Sequence, residues 1–180
     1  MRALVVYESM YGNTRLVAES VAIGLRDGYE VILRTVGEVL DAPAPEIDLL
    51  VVGSPTHVHG LSNQRTRQAA SDAAGKPESG LVLEPSATGP GVREWLARIS
   101  DGACGAAAAF DTRIDAPAAL TGRASKGIAK RLRRCGFDLV AEPESFLVDK
   151  HNHLLEGEAE RARAWGAALA SATVNAHAVR

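Results

Sequence analysis

A turn near the start of the chain carries the side chains best suited to holding a phosphate group. It consists of Ser9, Met10, Tyr11, Gly12, Asn13 and Thr14. An apolar run precedes this turn and an amphipathic pattern follows it, which predicts a strand, a tight loop and a helix. The first backbone N–H groups of a helix are unpaired, and the helix dipole favours a negative charge beside them. We therefore expect an anion site in this loop.

The composition of the loop indicates which kind of phosphate it would hold. It has neither the G-x-x-x-x-G-K-[ST] spacing of a nucleoside triphosphate site nor the G-x-G-x-x-G spacing of a dinucleotide site. No Lys or Arg occurs between residues 9 and 14, so hydrogen bonds and the helix dipole would have to balance the charge. A single terminal phosphate monoester fits these groups. The alternative is an ordinary turn in which Ser9 or Thr14 caps the helix and no ligand binds.

The segment from Val5 to Val21 resembles the signature of the flavodoxin family, including Ala18 and Val21. The resemblance implies FMN as the cofactor, with its 5′-phosphate wrapped by the loop at residues 9–14. It also implies a doubly wound, three-layer α/β/α sandwich. The order of elements along the chain predicts a five-stranded parallel sheet in order 2-1-3-4-5, an order for which flavodoxin itself is a standard example.

A second polar loop follows a near-continuous apolar run that begins at Ile47 and is typical of a central parallel strand. It consists of Ser54, Pro55, Thr56, His57, Val58, His59 and Gly60. It resembles the flavodoxin loop that lies along the flavin ring, where an aromatic side chain often contacts the ring. This loop has no Trp, Tyr or Phe. We therefore expect His57 or His59 to flank the ring, and the alternative for each is an exposed loop histidine.

A third polar loop is expected after a strand of small apolar residues that starts at Ala103. By resemblance to flavodoxins, the candidates for contact with the pyrimidine end of the flavin are Phe110, Asp111, Thr112 and Arg113. Phe110 either replaces the tyrosine usual there or closes the strand. A guanidinium at Arg113 would stabilise the reduced, anionic flavin and raise its potential. The alternative is a surface ion pair between Arg113 and Asp111 or Asp115.

Other elements follow from periodicity and breakers. We expect a strand at 29–36, a weak helix at 64–74, a buried helix face starting at Val92, a basic helix at 124–135, an interrupted strand at 137–149, a helix at 157–173 and a frayed tail at 175–180. Trp95 and Trp165 are expected in the core. The rest of 61–91 is irregular and predicts a flap over the outer edge of the flavin.

Composition excludes several classes of protein. The 180 residues suit one domain spanning 1–180, and a net charge of −2 argues against a nucleic-acid or membrane surface. Neither a leader nor an apolar run long enough to span a membrane is found, so we expect a cytoplasmic protein.

Cys104 and Cys135 lack metal-site spacing and fit buried thiols of a reducing compartment. His151 and His153 are expected in a turn, not at a metal.

Three functions remain open. The first is an electron carrier that passes electrons through FMN between partner proteins. The second is an FMN-dependent oxidoreductase that takes hydride from NAD(P)H and reduces a quinone or a similar small acceptor. The strand at 137–149 has only a small interruption and so resembles that of short-chain flavodoxins, which favours the carrier. Arg113 and the long 61–91 segment favour the enzyme. The third is a flavin-free interaction module, and the sequence leaves the oligomeric state open.

Overall fold

The protein is described by a computed structural model that covers residues 1–42, 46–99 and 105–178, with side chains described as far as residue 172. The strands are β1 (Arg2–Tyr7), β2 (Glu30–Thr35), β3 (Leu49–His57), β4 (Gly60–Leu61), β5 (Ala106–Ile114), β6 (Asp138–Leu139) and β7 (Glu144–Val148). The helices are α1 (Asn13–Leu25), α2 (Val36–Asp41), α3 (Gln64–Ala74), α4 (Val92–Leu96), α5 (Ala118–Thr121), α6 (Ala124–Cys135) and α7 (Glu158–Ala178).

The sheet has the predicted order. Its strands run β2-β1-β3-β5-β6, all of these pairings are parallel, and β7 also pairs with β5 in parallel. Because β6 and β7 lie end to end beside β5, they form the interrupted fifth strand expected from the sequence. The short β4 adds an antiparallel pairing to β3. The predicted doubly wound fold is therefore confirmed.

Two hydrophobic clusters hold the layers together, one on each face of the sheet. Side chains alternate along a strand, so Val5 and Tyr7 of β1 join the cluster beneath α1 and α7, whereas Leu4 and Val6 join the cluster beneath α2, α4 and α6. Trp95 is buried and Trp165 packs against the other cluster, as predicted. Burial on both faces explains why these strands read as continuous apolar runs.

Helices α1 and α7 lie in direct backbone contact. A Cβ at Gly24 would overlap the carbonyl group of Arg163, and one at Gly166 would overlap the carbonyl oxygen of Val21. Only glycine permits this approach, because any larger residue would push the two helices apart. The contact fixes α1, and with it the loop that begins the helix.

Several element boundaries differ from the predictions. Strand β3 continues to His57 and β5 to Ile114, so most of the second and third loops is extended strand. Helix α7 reaches Ala178 instead of ending at 173. The predictions for 103–104 with Cys104 and for 179–180 lie outside the described residues.

Helix α2 was not predicted, although the sequence carries its start signal. Thr35 accepts a hydrogen bond from the backbone N–H of Glu38, and the Glu38 carboxylate accepts one from the backbone N–H of Thr35. This is the reciprocal pattern of a capping box, written T-x-x-E in the sequence.

Among the described residues, no helix is long and apolar enough to cross a membrane.

Candidate functional site

A cleft of about 280 Å³ opens at the carboxyl ends of β1, β3 and β5. All three predicted loops line it. They contribute Met10, Tyr11, Asn13, Thr14, Pro55, Thr56, His57, Val58, Thr112 and Arg113. Parallel strands end on the same edge of the sheet, and ligands of doubly wound folds bind outside that edge, where the strand order reverses. The structure therefore brings these residues together around one cavity.

Gly12 shapes the turn between β1 and α1. Its φ of 92° lies in the left-handed region that favours glycine, and α1 begins at the next residue. The Oγ of buried Ser9 accepts a hydrogen bond of 3.2 Å from the Gly12 N–H. No side chain caps the start of α1. The N–H groups at this helix start therefore remain available to an anion.

The other polar side chains of the first loop have partners inside the protein. The Tyr11 hydroxyl donates to the Ala70 carbonyl at 2.8 Å, and Asn13 Nδ2 donates to the Asn152 carbonyl at 2.6 Å. Thr14 Oγ1 lies 2.7 Å from Thr112 Oγ1. These side chains stabilise the loop instead of reaching freely into the cleft. Backbone N–H groups and any hydroxyl proton left over are thus the main donors to a phosphate.

The second loop is a tight hairpin and not an irregular segment. Val58 and His59, between β3 and β4, have φ values of 41° and 72°, and Val58 is 83% exposed. Positive φ at both central residues is the geometry of a type I′ turn. His59 forms an isolated bridge with Gly122, and it does not line the cleft. Of the two histidines considered for the flavin ring, His57 alone lines the cavity.

The environment of His57 favours its neutral form. Burial lowers the pKa of His57, and the nearby Arg67 charge lowers it as well, while the Glu8 carboxylate opposes both. A neutral imidazole keeps one N–H donor and one nitrogen acceptor. His57 therefore offers the cleft a polar ring that carries no charge at neutral pH.

Phe110 lies in the core, so its side chain does not line the cleft in place of the tyrosine usual in flavodoxins. Its side chain is fully buried, and its ring packs edge-on against the rings of Phe146 at 6.0 Å and Trp165 at 6.1 Å. A Cβ at Gly53 would overlap the Phe110 ring. The side chain points to the α1 and α7 face because alternation along β5 places it there.

Asp111 is buried beneath the cleft and holds the start of α6. Its Oδ2 accepts a hydrogen bond of 2.7 Å from the Ser125 N–H. Burial raises the pKa of Asp111, and hydrogen bonds from Ser125 and Ser145 oppose that rise. Thr56 Oγ1 likewise accepts from the Ala124 N–H at 2.9 Å. The first turn of α6 therefore fixes the second and third loops relative to each other.

Arg113 lines the cleft but makes neither of the ion pairs considered from the sequence. Its Nη1 donates to the carbonyl oxygens of Ala116 at 2.6 Å and Ile114 at 3.2 Å, and lies 3.4 Å from Thr121 Oγ1. Backbone carbonyls orient the guanidinium without cancelling its charge. The cleft therefore has one positively charged wall.

Sequence reasoning missed a set of residues behind the first loop. Buried Glu8 accepts hydrogen bonds from the Ser62 hydroxyl and from the Val92 N–H, and Arg67 and Glu84 lie in the same region. No local motif connects these positions, since Ser62, the nearest in the chain of the Glu8 carboxylate's partners, lies 54 residues beyond it. Only the tertiary structure shows that the 61–91 segment is attached to the first loop.

The predicted turn at His151 and His153 is confirmed. The Asp149 carboxylate accepts hydrogen bonds from both backbone N–H groups, and Asn152 has a φ of 62°. Among the residues that the structure describes, no group of three or more His, Cys, Asp or Glu side chains could hold a metal ion.

Comparisons with known proteins point to one family. No protein-family profile matches the chain. A curated flavodoxin from Aquifex aeolicus is 38% identical over 76 residues, which is 41% of this chain and 40% of that protein. The match therefore spans less than half of the relative's length.

Solved structures resemble the chain over nearly its whole length. A flavodoxin from the domain Archaea superposes with a TM-score of 0.62 at 21% identity, covering 97% of this chain and 99% of the other. Oxidised flavodoxin 1 of Bacillus cereus superposes with a TM-score of 0.60 at 17% identity, covering 97% of this chain and 98% of the other. Such identities establish the fold. With the sequence match, they confirm the resemblance found in the sequence.

Proposed function

On the premise that this chain is a flavodoxin-like protein, we propose that it binds FMN non-covalently in the cleft and transfers electrons through it. The single observation that carries the proposal is the uncapped start of α1 behind left-handed Gly12, opening beside a cavity bounded by all three loops. A helix start of this kind suits a phosphate monoester. The adjoining cavity suits the ring that such a phosphate would carry.

The residues present fit this cofactor. Backbone N–H groups at residues 10, 11, 13 and 14 would hold the phosphate, since the Gly12 N–H already donates to Ser9 Oγ. The remaining hydroxyl proton of the Thr14 and Thr112 pair would be a side-chain donor. His57 and Pro55 would face the ring, and Arg113 would lie along one edge of it. FMN, when bound, supplies the electron-transfer chemistry, and the protein binds it and adjusts its electrostatic surroundings.

Electron transfer between partner proteins is the activity we propose, in the cytoplasm. Cys135, a buried free thiol, is consistent with a reducing compartment. The alternative is an FMN-dependent oxidoreductase that uses NAD(P)H and a quinone-like acceptor. Arg113 favours that alternative, because a positive charge at the cleft wall stabilises a negatively charged, reduced cofactor, and the Glu158 carboxylate offsets part of that charge. A flavin-free interaction module is the third candidate.

Titration of the flavin-free protein with FMN, riboflavin and FAD tests the proposal. We expect FMN to bind at least about a hundredfold more tightly than riboflavin, since each 1.4 kcal/mol contributed by the phosphate changes affinity tenfold. Flavin fluorescence reports binding. If none of the three flavins binds, the redox proposal is wrong and the interaction module remains.

A second measurement separates the carrier from the enzyme. The loaded protein is mixed with NADH or NADPH in the presence of a soluble quinone, and nucleotide oxidation is followed by absorbance. We expect turnover well below 1 per second for a carrier, whereas typical enzymes turn over at about 1–1,000 per second. Turnover in that range would instead favour the oxidoreductase.

A further inference from the structure

The segment from Ser62 to Glu94 contacts Met10 and Tyr11 within the first loop and the residues on either side of the loop, Glu8 and Arg15. We infer that this segment, which we call the brace, holds the backbone of residues 8–14 in its anion-binding shape. The discrimination between FMN and riboflavin depends on this support, a consequence that rests on the proposed function. The flap over the outer edge of the flavin, expected from the sequence for the same segment, stays a prediction. Three of the residues in the contacts between the brace and the loop, Met10, Tyr11 and Ala70, also line the cleft, and the others do not.

A buried polar network attaches both ends of the brace to Glu8. The Glu8 carboxylate accepts hydrogen bonds from the Ser62 hydroxyl and, at 2.9 Å, from the Val92 N–H. Arg67, only 3% exposed, donates to Ser62 Oγ at 2.9 Å and to Glu94 Oε2 at 3.2 Å. Glu8 directly precedes Ser9, so this network fixes the residue at which the loop begins.

The middle of the brace contacts the loop itself. The Glu84 N–H donates to the Met10 carbonyl at 2.8 Å, and Glu84 Oε1 accepts from Arg15 Nε at 3.0 Å. The same carboxylate oxygen lies 3.1 Å from the position of a Cβ at Gly12. The Tyr11 hydroxyl binds the Ala70 carbonyl. The middle of the brace therefore contacts the loop at Met10 and Tyr11 and the start of α1 at Arg15.

Preorganisation is the physical reason why such support would affect the phosphate. No cation lies within residues 9–14, and an anion held mainly by backbone N–H groups needs those groups to be aligned before it arrives. A mobile loop would lose conformational entropy on binding and would weaken affinity for the phosphate. Riboflavin has no phosphate, so its affinity does not depend on that alignment. A loosened loop therefore reduces the difference between the two ligands.

Hydrogen exchange in the flavin-free protein tests the brace without any cofactor. The readouts are the Glu8, Gly12 and Leu16 amides, which are hydrogen-bonded in the structure. We expect Ser62→Ala and Glu84→Gln each to speed their exchange about tenfold relative to the unchanged protein. Glu19→Gln is the matched control, because Glu19 pairs with the same Arg15 guanidinium at 2.9 Å but belongs to α1. Unchanged exchange in both brace variants would overturn the inference.

Ligand titration completes the test. In Ser62→Ala, which changes no charge, we expect the affinity ratio of FMN to riboflavin to fall about tenfold, with riboflavin affinity unchanged. Equal losses for both ligands would show a general structural role and contradict the inference. If the unchanged protein binds no flavin, the proposed function fails, yet the exchange result still decides whether the brace orders the loop.

Discussion

Thr14 Oγ1 and Thr112 Oγ1 lie 2.7 Å apart, and both side chains are buried although the residues are 98 positions apart in the chain. The hydrogen bond joins the first turn of α1 to β5 at the floor of the cleft. Either hydroxyl can be the donor, so one proton stays available to a neighbouring acceptor. The pair therefore couples the loop expected to hold phosphate to the strand that carries Arg113.

Replacing one member of this pair leaves the other without its partner. We expect Thr112→Val to lower the free energy of unfolding by about 1–3 kcal/mol, the usual cost of an unsatisfied buried hydroxyl. The Thr14→Val and Thr112→Val double variant should recover much of that loss, because both polar groups are then removed. Urea unfolding of the four proteins measures the coupling, and additive losses would contradict it.

Gly12 should be intolerant of a side chain. Gly12→Ala places a Cβ at φ 92° and close to the Glu84 carboxylate, at 3.1 Å. The left-handed conformation costs a non-glycine residue about 1–2 kcal/mol. We expect FMN affinity to fall about tenfold or more, with a smaller effect on riboflavin. Isothermal titration with both ligands checks this, and an unchanged FMN affinity would show that the loop shape is unimportant.

Gly53 should be required for packing and not for binding. Gly53→Ala would drive its methyl group into the buried Phe110 ring, and overpacking of this kind costs roughly 3 kcal/mol. Gly60→Ala is the matched control, since no heavy atom lies within 4 Å of its Cβ position. We expect that control to change stability by less than about 0.5 kcal/mol. Thermal unfolding of both variants distinguishes them.

Asp111 should make the protein less stable as the pH rises. Its folded-state pKa is raised, chiefly by burial, so between the unfolded pKa and the raised folded pKa the folded state binds more protons. The free energy of unfolding therefore falls with increasing pH across that window and stays lower above it. Asp111→Asn should remove this dependence while keeping an oxygen acceptor for the Ser125 N–H.

The measurement for Asp111 is chemical unfolding from pH 3.5 to pH 8. We expect Asp111→Asn to unfold at higher urea than the unchanged protein near pH 7, and the difference to shrink toward pH 4. If the stability of Asp111→Asn relative to the unchanged protein instead increased on acidification, the ionised carboxylate would be stabilising. In that case its hydrogen bond to the α6 start would outweigh the cost of burial.

Arg113 should raise the reduction potential of a bound flavin. A unit charge about 8 Å away, at an effective dielectric of ~20, contributes about 2 kcal/mol, or on the order of 90 mV for one electron. Arg113→Gln should lower the midpoint potential by tens of millivolts, and Arg113→Lys, which keeps the charge, should shift it far less. Redox titration of the FMN-loaded variants tests this. Equal shifts in both would assign the effect to the lost carbonyl contacts.

The sequence by itself determined the fold and the first loop. The signals that predicted these elements are local, because each depends on residues only a few positions away in the chain. They are the apolar runs at 3–7 and 47–53, the glycine at 12 and the helix patterns at 64–74 and 124–135. The same locality explains the confirmed turn after Asp149. Short-range backbone preference and burial periodicity therefore predict where the elements lie, whereas the sheet order follows from their succession along the chain and the crossover rules.

Tertiary structure alone decided which side chains reach the cleft. Phe110 packs in the core against the rings of Phe146 and Trp165, and His57 lines the cleft while His59 does not. The attachment of Glu8 to Ser62 joins positions 54 apart. Such contacts depend on how layers pack, and the free energy of packing is not encoded in any single stretch of residues.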